Sequence, residues 1–209
     1  MAKLNTNSNA YIIIYSTILV VIVAFLLAFV FQALKPMQDA NVALDVKKQI
    51  LYSLNIRGLD GAEAEAKYKE IVKSEEKAGD LSYYVCDIKG EKKYVFPLKG
   101  MGLWGGISAF VSVNEDMNTI YGAYFNHESE TAGLGAEIKD SKAWQDKFIG
   151  KTIYGPDGTP VLKVVKSSEL KNPQSEVDGV TGATLTSNGV SDMLLDGFAK
   201  YKELLNNKK

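Results

Sequence analysis

One stretch decides what this chain is able to fold into. From Tyr11 to Phe31, YIIIYSTILVVIVAFLLAFVF, there are 21 residues with no charged side chain, and only Ser16 and Thr17 stand out as polar. At about 1.5 Å of rise per residue, a helix of that length spans roughly the 30 Å hydrocarbon core of a bilayer. It is apolar all round and has no polar face to turn to water. The sequence therefore predicts a transmembrane helix over 11–34 behind a short tail, 1–10. A cleaved secretory signal fits less well, because its apolar region is shorter and follows a basic start, whereas Lys3 is the sole charged side chain before this run. Lys35, Lys47 and Lys48 follow the run mixed with Asp39 and Asp45, so charge alone assigns no orientation.

The chain after Lys35-Pro36 is long enough for one globular domain with a sizeable core, 35–209. Its charges balance: 24 Lys+Arg against 25 Asp+Glu give a net charge of −1 over the whole chain. No clustered positive charge is present for a phosphate backbone, so nucleic acid is excluded as a partner. A single Cys builds neither a disulfide framework nor a multi-cysteine metal site. Apolar residues recur at helical spacing between Gln38 and Leu54, and AEAEAKYKEIV after Gly61 is rich in helix formers, so two helices are expected after the anchor. LSYYVCDI, KKYVFPL, ISAFVSV and NTIYGAYF are short, β-branched and aromatic, and they read as an antiparallel meander. A short helix around Trp144 and Phe148, a strand in TPVLKVVK and a closing helix in SNGVSDMLLDGFAKYKELL complete an α+β domain, an antiparallel sheet flanked by helices.

The stretch with the most chemistry is Asp178-Gly179-Val180-Thr181-Gly182-Ala183-Thr184-Leu185-Thr186-Ser187, just before the closing helix. Gly182 and Ala183 leave backbone N–H groups uncovered, Thr and Ser add hydroxyl donors, and a helix start favours an anion. The loop suits a phosphate. A purely structural reading stands beside this one, with Thr186 or Ser187 capping the helix and Gly182 taking a turn. The string is neither a Walker loop nor a GxGxxG fingerprint, so neither NTP nor NAD binding follows from it.

DGVTGAT resembles the D-x-x-(S/T)-G-A-T signature of the covalent FMN-binding domain family, in which a flavin transferase attaches FMN through a phosphoester to the final threonine. The resemblance implies that Thr184 is the attachment residue, within a cofactor-binding set that includes Asp178, Thr181, Gly182, Ala183 and Thr186. Gly100-Met101-Gly102-Leu103-Trp104 resembles a G-x-G-L-W segment, and the stretch from Asn126 to Gly135 an N-H-x-E-T-P-G-L-G segment, of the NqrC family, which serves sodium-translocating NADH:quinone oxidoreductases. Trp104, Glu130, Thr131 and Leu134 join the cofactor-binding set on that basis. Ala132 stands where the proline is usual, and alanine does not fix φ.

What the resemblance implies is a membrane-anchored electron relay with one covalent FMN. Its partners are the other membrane and soluble subunits of that quinone reductase, and a flavin transferase matures it. Its place is a bacterial inner membrane with the domain on the outer, periplasmic face. No catalytic residue or metal ligand is assigned to the chain itself. A sibling reading is the G subunit of an Rnf-type complex, and a reading from another class is a non-redox, membrane-tethered binding or assembly module. Two reactive residue types have blander roles: His127, the only histidine, is expected to hydrogen-bond within its loop, and Cys86 to be a small buried hydrophobe.

Overall fold

Helix-forming and apolar residues carry one helix, α1 (Asn9–Ser53), through Pro36 without a break. A proline there has no N–H to offer the carbonyl of Gln32, yet its neighbours on both sides favour helix and α1 continues. The helix expected from Gln38 is therefore the same helix as the apolar run. The computed structural model describes residue 6 and residues 8–206, so most of the expected tail (1–5 and 7) and the last three residues lie outside the described part.

The chain divides between Asp45 and Val46 into two units. In the first, the most apolar window of α1 has a mean hydropathy of 2.9 and none of it is buried against protein. The Ser16 and Thr17 hydroxyls return to the carbonyls of Ile12 and Ile13, each at 2.8 Å, so both are satisfied within the helix.

The second unit begins with the last turns of α1, where Ile50, Leu51 and Leu54 are buried. Helix α2 (Gly61–Ile71) follows and is tied back by Lys47–Glu65 at 2.7 Å and Lys48–Asp60 at 2.5 Å. Five strands then form one antiparallel sheet in chain order: β1 (Val72–Ala78), β2 (Leu81–Ile88), β3 (Glu91–Met101), β4 (Gly106–Val113) and β5 (Ile120–His127). Four of them are the expected meander, and β1 adds an edge strand. Short helices α3 (Glu137–Asp140) and α4 (Lys142–Asp146) follow. Strand β6 (Lys163–Val165), shorter than expected, pairs in parallel with an unexpected β7 (Glu176–Asp178). Helix α5 (Thr184–Asn206) closes the domain, beginning at Thr184 and not at Ser187. The domain is α+β, as its order of elements predicts.

One face of the sheet and α5 enclose the core. Phe96, Leu98, Ile107, Val111 and Phe125 meet Val190, Met193, Leu194, Phe198 and Tyr201, and each large side chain contributes roughly 1.5–3 kcal/mol by leaving water. The buried Tyr201 satisfies its hydroxyl by donating to the carbonyls of Ser82 (2.6 Å) and Pro97 (3.1 Å). The approach of α5 to β3 is very close. A Cβ built on Gly100 would lie 2.6 Å from Cβ of Met193, one on Gly197 would lie 2.6 Å from Cδ2 of Leu98, and one on Gly189 would run into the carbonyl oxygen of Met101.

Backbone cannot yield as a side-chain tip does. Gly189→Ala is therefore expected to lower the unfolding free energy by about 1–3 kcal/mol through overpacking, against the ~1 kcal/mol that alanine gains over glycine in an open helix. Gly197→Ala, which meets only the end of Leu98, is expected to cost less. Thermal denaturation of both variants beside the parent chain gives the order, and a Gly189→Ala protein as stable as the parent would refute the close packing.

Candidate functional site

Gly182 turns the chain into α5. It sits at φ +79°, a region that strains any side chain, and a Cβ there would lie 2.9 Å from Cδ2 of Leu134. Buried Ala183 follows, and its carbonyl takes the first bond of the helix from the N–H of Ser187 at 2.9 Å. The N–H groups of residues 184–186 are thus the free donors of a helix start, with its partial positive charge. Thr184 is exposed, and among the described residues its hydroxyl has no hydrogen-bond partner. The capping role expected of Thr186 or Ser187 belongs to neither. Both are buried inside the first turn: Ser187 Oγ accepts the N–H of Val180 at 3.1 Å, and the Thr186 hydroxyl donates to Glu130 Oε2 at 2.6 Å.

The loop leading to Thr184 is pinned at its near end. The carbonyl of Asp178 accepts the indole N–H of Trp144 at 2.9 Å, and its carboxylate pairs with Lys147 at 2.9 Å. The N–H of Gly179 donates to Val165 at 2.8 Å. Beyond these bonds, Thr181, Gly182 and Thr184 are exposed at the crest. A cleft of about 350 Å³ opens on one side of the loop, lined among others by Lys166, Ser167, Thr181, Thr184 and Asn188. A second, of about 230 Å³, lies toward Glu137, Trp144, Lys147 and Asp178.

The β3–β4 hairpin supplies the other wall. The N–H of Gly102 bonds the carbonyl of Gly105 at 2.8 Å, which leaves Leu103 and Trp104 as its two-residue tip. Trp104 is 66% exposed, although it is a residue type that cores usually retain. Met101, Leu103, Leu134 and Leu185 are exposed as well. The reach of the Leu134 side chain to Gly182 and the approach of the Met101 carbonyl to Gly189 bring these segments together around the start of α5. Thr131 is exposed and serves through its carbonyl, which accepts the N–H groups of Leu134 (3.1 Å) and Ala136 (3.0 Å). That pair of bonds shapes the turn which Ala132 enters without a proline.

Glu130 binds these walls together. Only 7% exposed, it takes the N–H of Trp104 on Oε1 at 2.8 Å and the Thr186 hydroxyl on Oε2, while its own N–H donates to Nδ1 of His127 at 3.2 Å. His127 is thus a loop-bonding residue, as expected. Burial is the largest single influence on the Glu130 carboxyl and raises its pKa. The hydrogen bonds from Thr186, Trp104 and Leu103, with His127 nearby, together outweigh burial and hold it below the ordinary glutamate range. Glu128, by contrast, is exposed and accepts only the N–H of Gly106, at 3.2 Å. Cys86 is buried in β2, and burial pushes its thiol up to about 12. Thr184, Thr186, Glu130, Trp104, Leu134, Gly182 and Ala183 therefore meet at one end of the domain, with Thr181 at the crest. Asp178 stands apart on the Lys147 side. Lys147 and the rim residue Met101 escape sequence reasoning, since an isolated Lys and a Met between glycines carry no motif of their own.

A family model described as an FMN-binding domain matches residues 102–198. A solved structure of NqrC, the C component of the Na(+)-translocating NADH-quinone reductase, from Parabacteroides distasonis ATCC 8503 is 35% identical, with a TM-score of 0.76, and the match covers 82% of this chain and 96% of that one. The chain belongs to the NqrC family. Among its relatives, NqrC of Vibrio alginolyticus is 44% identical over 108 residues, 52% of this chain and 42% of that protein. NqrC of Chlamydia pneumoniae is 35% identical over 136 residues, 58% of this chain and again 42% of that protein. The match thus spans less than half the length of these curated relatives. A further family structure, from Shewanella oneidensis, has a TM-score of 0.65 at 20% identity and shares the fold.

A carboxyl held below its unfolded pKa contributes stability that is complete above the ordinary glutamate value, about 4.3, and is lost as pH falls through the folded value. In Glu130→Gln the amide oxygen keeps the Trp104 N–H, the amide NH₂ faces Thr186 Oγ1, which must turn to accept it, and two charge-assisted bonds become neutral ones, a cost of about 1–3 kcal/mol. The variant is expected to be less stable than the parent by that amount at neutral pH, and the gap to close as the pH is taken below about 4. Urea denaturation at both pH values measures it. A gap that does not change with pH would mean that the carboxylate charge is irrelevant.

Proposed function

We propose that the chain is a membrane-anchored flavoprotein subunit of a sodium-translocating NADH-quinone reductase, passing electrons through one FMN esterified to Thr184. The observation that carries this reading is the exposed Thr184 hydroxyl, without a hydrogen-bond partner among the described residues, at a helix start inside the FMN-binding match and beside exposed apolar side chains. These residues fit the group. The hydroxyl is available to the phosphorus, the free N–H groups of the first turn and the Thr181 hydroxyl suit phosphate oxygens, and Leu103, Trp104 and Leu134 offer apolar cover to a flat aromatic ring. Bound FMN supplies the redox chemistry, and the protein supplies attachment, orientation and field.

Attachment exchanges one phosphorus–oxygen bond for another: Thr184 Oγ bonds the phosphorus of the FMN moiety, the pyrophosphate bond of an FAD donor breaks to release AMP, and the hydroxyl proton passes to solvent or to the leaving AMP. Among the described residues Thr184 has no base within hydrogen-bonding reach, so a separate transferase is the proposed agent. Asp178, pinned by Trp144 and Lys147, is proposed to mark the near end of the segment which that enzyme reads. The apolar run, 11–34, is the proposed membrane span, with 1–10 as its tail and 35–209 as the FMN-bearing domain. The name its relatives share, which assigns each to the quinone reductase, favours this reading over the Rnf sibling. The other subunits of the reductase are the proposed partners.

Thr184→Val keeps the side-chain shape at an exposed position and removes only the hydroxyl. The variant is expected to fold and to carry no covalent FMN. Ultraviolet illumination of a denaturing gel and intact mass both read this out, the parent being heavier by FMN minus water. A fluorescent Thr184→Val band would move the attachment to another residue, and a dark parent band from the native host would favour the non-redox module.

The domain is proposed to lie on the outer face of a bacterial inner membrane, a placement that its charge pattern leaves open. Alkaline phosphatase folds only where disulfides form, so a fusion at the C-terminus is expected to be active. An inactive phosphatase fusion beside a fluorescent cytoplasmic-reporter fusion would reverse the orientation.

A further inference from the structure

The Glu130 carboxylate joins segments that the sequence keeps far apart, and it has no oxygen left over. Oε1 is occupied by the hairpin tip through the N–H of Trp104, and Oε2 by the first turn of α5 through the hydroxyl of Thr186. Two glycines press against it. A Cβ on Gly102 would lie 2.5 Å from Oε1, and one on Gly135 would lie 2.6 Å from Thr186 Oγ1 and against Oε2. The side chain is therefore sealed behind the site and not presented to a ligand. The groups it holds are presented: the Trp104 indole is exposed on one, and the exposed Thr184 stands two residues from Thr186 on the other.

We infer that Glu130 is a positioning residue of the flavin site, fixing the Leu103–Trp104 tip at a set distance from the Thr184 hydroxyl and so setting how the indole meets the flavin ring. The inference rests on the reading of Thr184 as the FMN carrier. A charged acceptor suits the task because one carboxylate takes both donors in charge-assisted bonds, where a neutral amide accepts one weaker bond and can only donate to the other partner. The tip itself has a single cross-hairpin bond, from Gly102 to Gly105, and Ser129 Oγ donates to the carbonyl of Trp104 at 2.9 Å. The packing of Gly189 on Met101 and Gly102 sets the base of the hairpin against α5, and the Glu130 contact extends that hold to Trp104 at the tip.

An indole in contact with an isoalloxazine quenches the flavin's own emission, so the emission yield of the full flavinylated chain in detergent reports on the contact. Trp104→Phe sets the bright limit. Glu130→Gln and Thr186→Val are each expected to fold, to carry FMN and to lose quenching toward that limit. Thr186→Ser, which keeps the hydroxyl, is expected to restore the dim state, and exposed Glu128→Gln to leave it unchanged. Should Glu130→Gln fail to fold or load, the Thr186 pair decides. Loading lost in Thr186→Val and regained in Thr186→Ser supports the inference, and loading lost in both counts against it. Folded, loaded Glu130→Gln and Thr186→Val proteins as dim as the parent would overturn it, as would a Trp104→Phe protein no brighter than the parent. A parent chain that carries no flavin at all fails the underlying reading of Thr184 instead.

Discussion

The rest of the domain depends on how closely α5 lies on β3. Gly189, Met193 and Gly197 recur every four residues along one face of the helix, and opposite them stand Leu98, Gly100 and Met101 of the strand. Small residues on both partners let backbone approach backbone, and apolar side chains on either side close the core. Because Gly189 rests on the carbonyl of Met101, the first turn of α5 is set beside the end of β3, where the chain turns into the Gly102–Gly105 hairpin. The meeting of Thr186 and the hairpin tip on Glu130 follows from that placement. Loosening the helix at Gly189 would loosen the site before it exposed the core.

The loop before α5 divides the work between held shoulders and an open crest. Trp144, Val165 and Ser187 each bond the backbone between Asp178 and Val180, so that segment is fixed by the core side of the domain. Four residues later the chain is helical. Between the two, Thr181, Gly182 and Thr184 remain exposed, over a helix start whose donors are unpaired. A modification site needs this combination: an acceptor that an outside enzyme reaches, on a backbone already in its final shape. Exposure is confined to the crest, where the proposed acceptor Thr184 stands.

Much of this was legible in the sequence, for reasons that differ from element to element. The apolar run and the four meander strands announce themselves by composition and period, and the DGVTGAT string marks the site. Strand β1 did not, because Val-Lys-Ser-Glu-Glu-Lys-Ala is helix-forming in composition and becomes a strand only by pairing with β2, as a charged edge. The pairing of β6 with β7 joins segments of three residues each, too short for any period to appear. The start of α5 was misplaced because Thr186 and Ser187 are capping residue types, and their actual partners, Glu130 and the N–H of Val180, are made by tertiary structure. Glu130 itself was picked out by motif, while its burial between two glycines was visible only once the loops had folded.

The exposed apolar rim and the buried thiol point the same way. A domain that buries its aromatic side chains well leaves Met101, Trp104 and Leu185 each more than half exposed at one end, and such a patch calls for a cover. A flavin tethered at Thr184 is a cover of the right chemistry, since its ring is flat and aromatic and its tether begins in the middle of the patch. The one cysteine, meanwhile, lies in β2 with its thiol pushed up to about 12, so at neutral pH it is not a thiolate. Burial thus keeps the one cysteine a protonated thiol, while the apolar rim at the α5 end stays open.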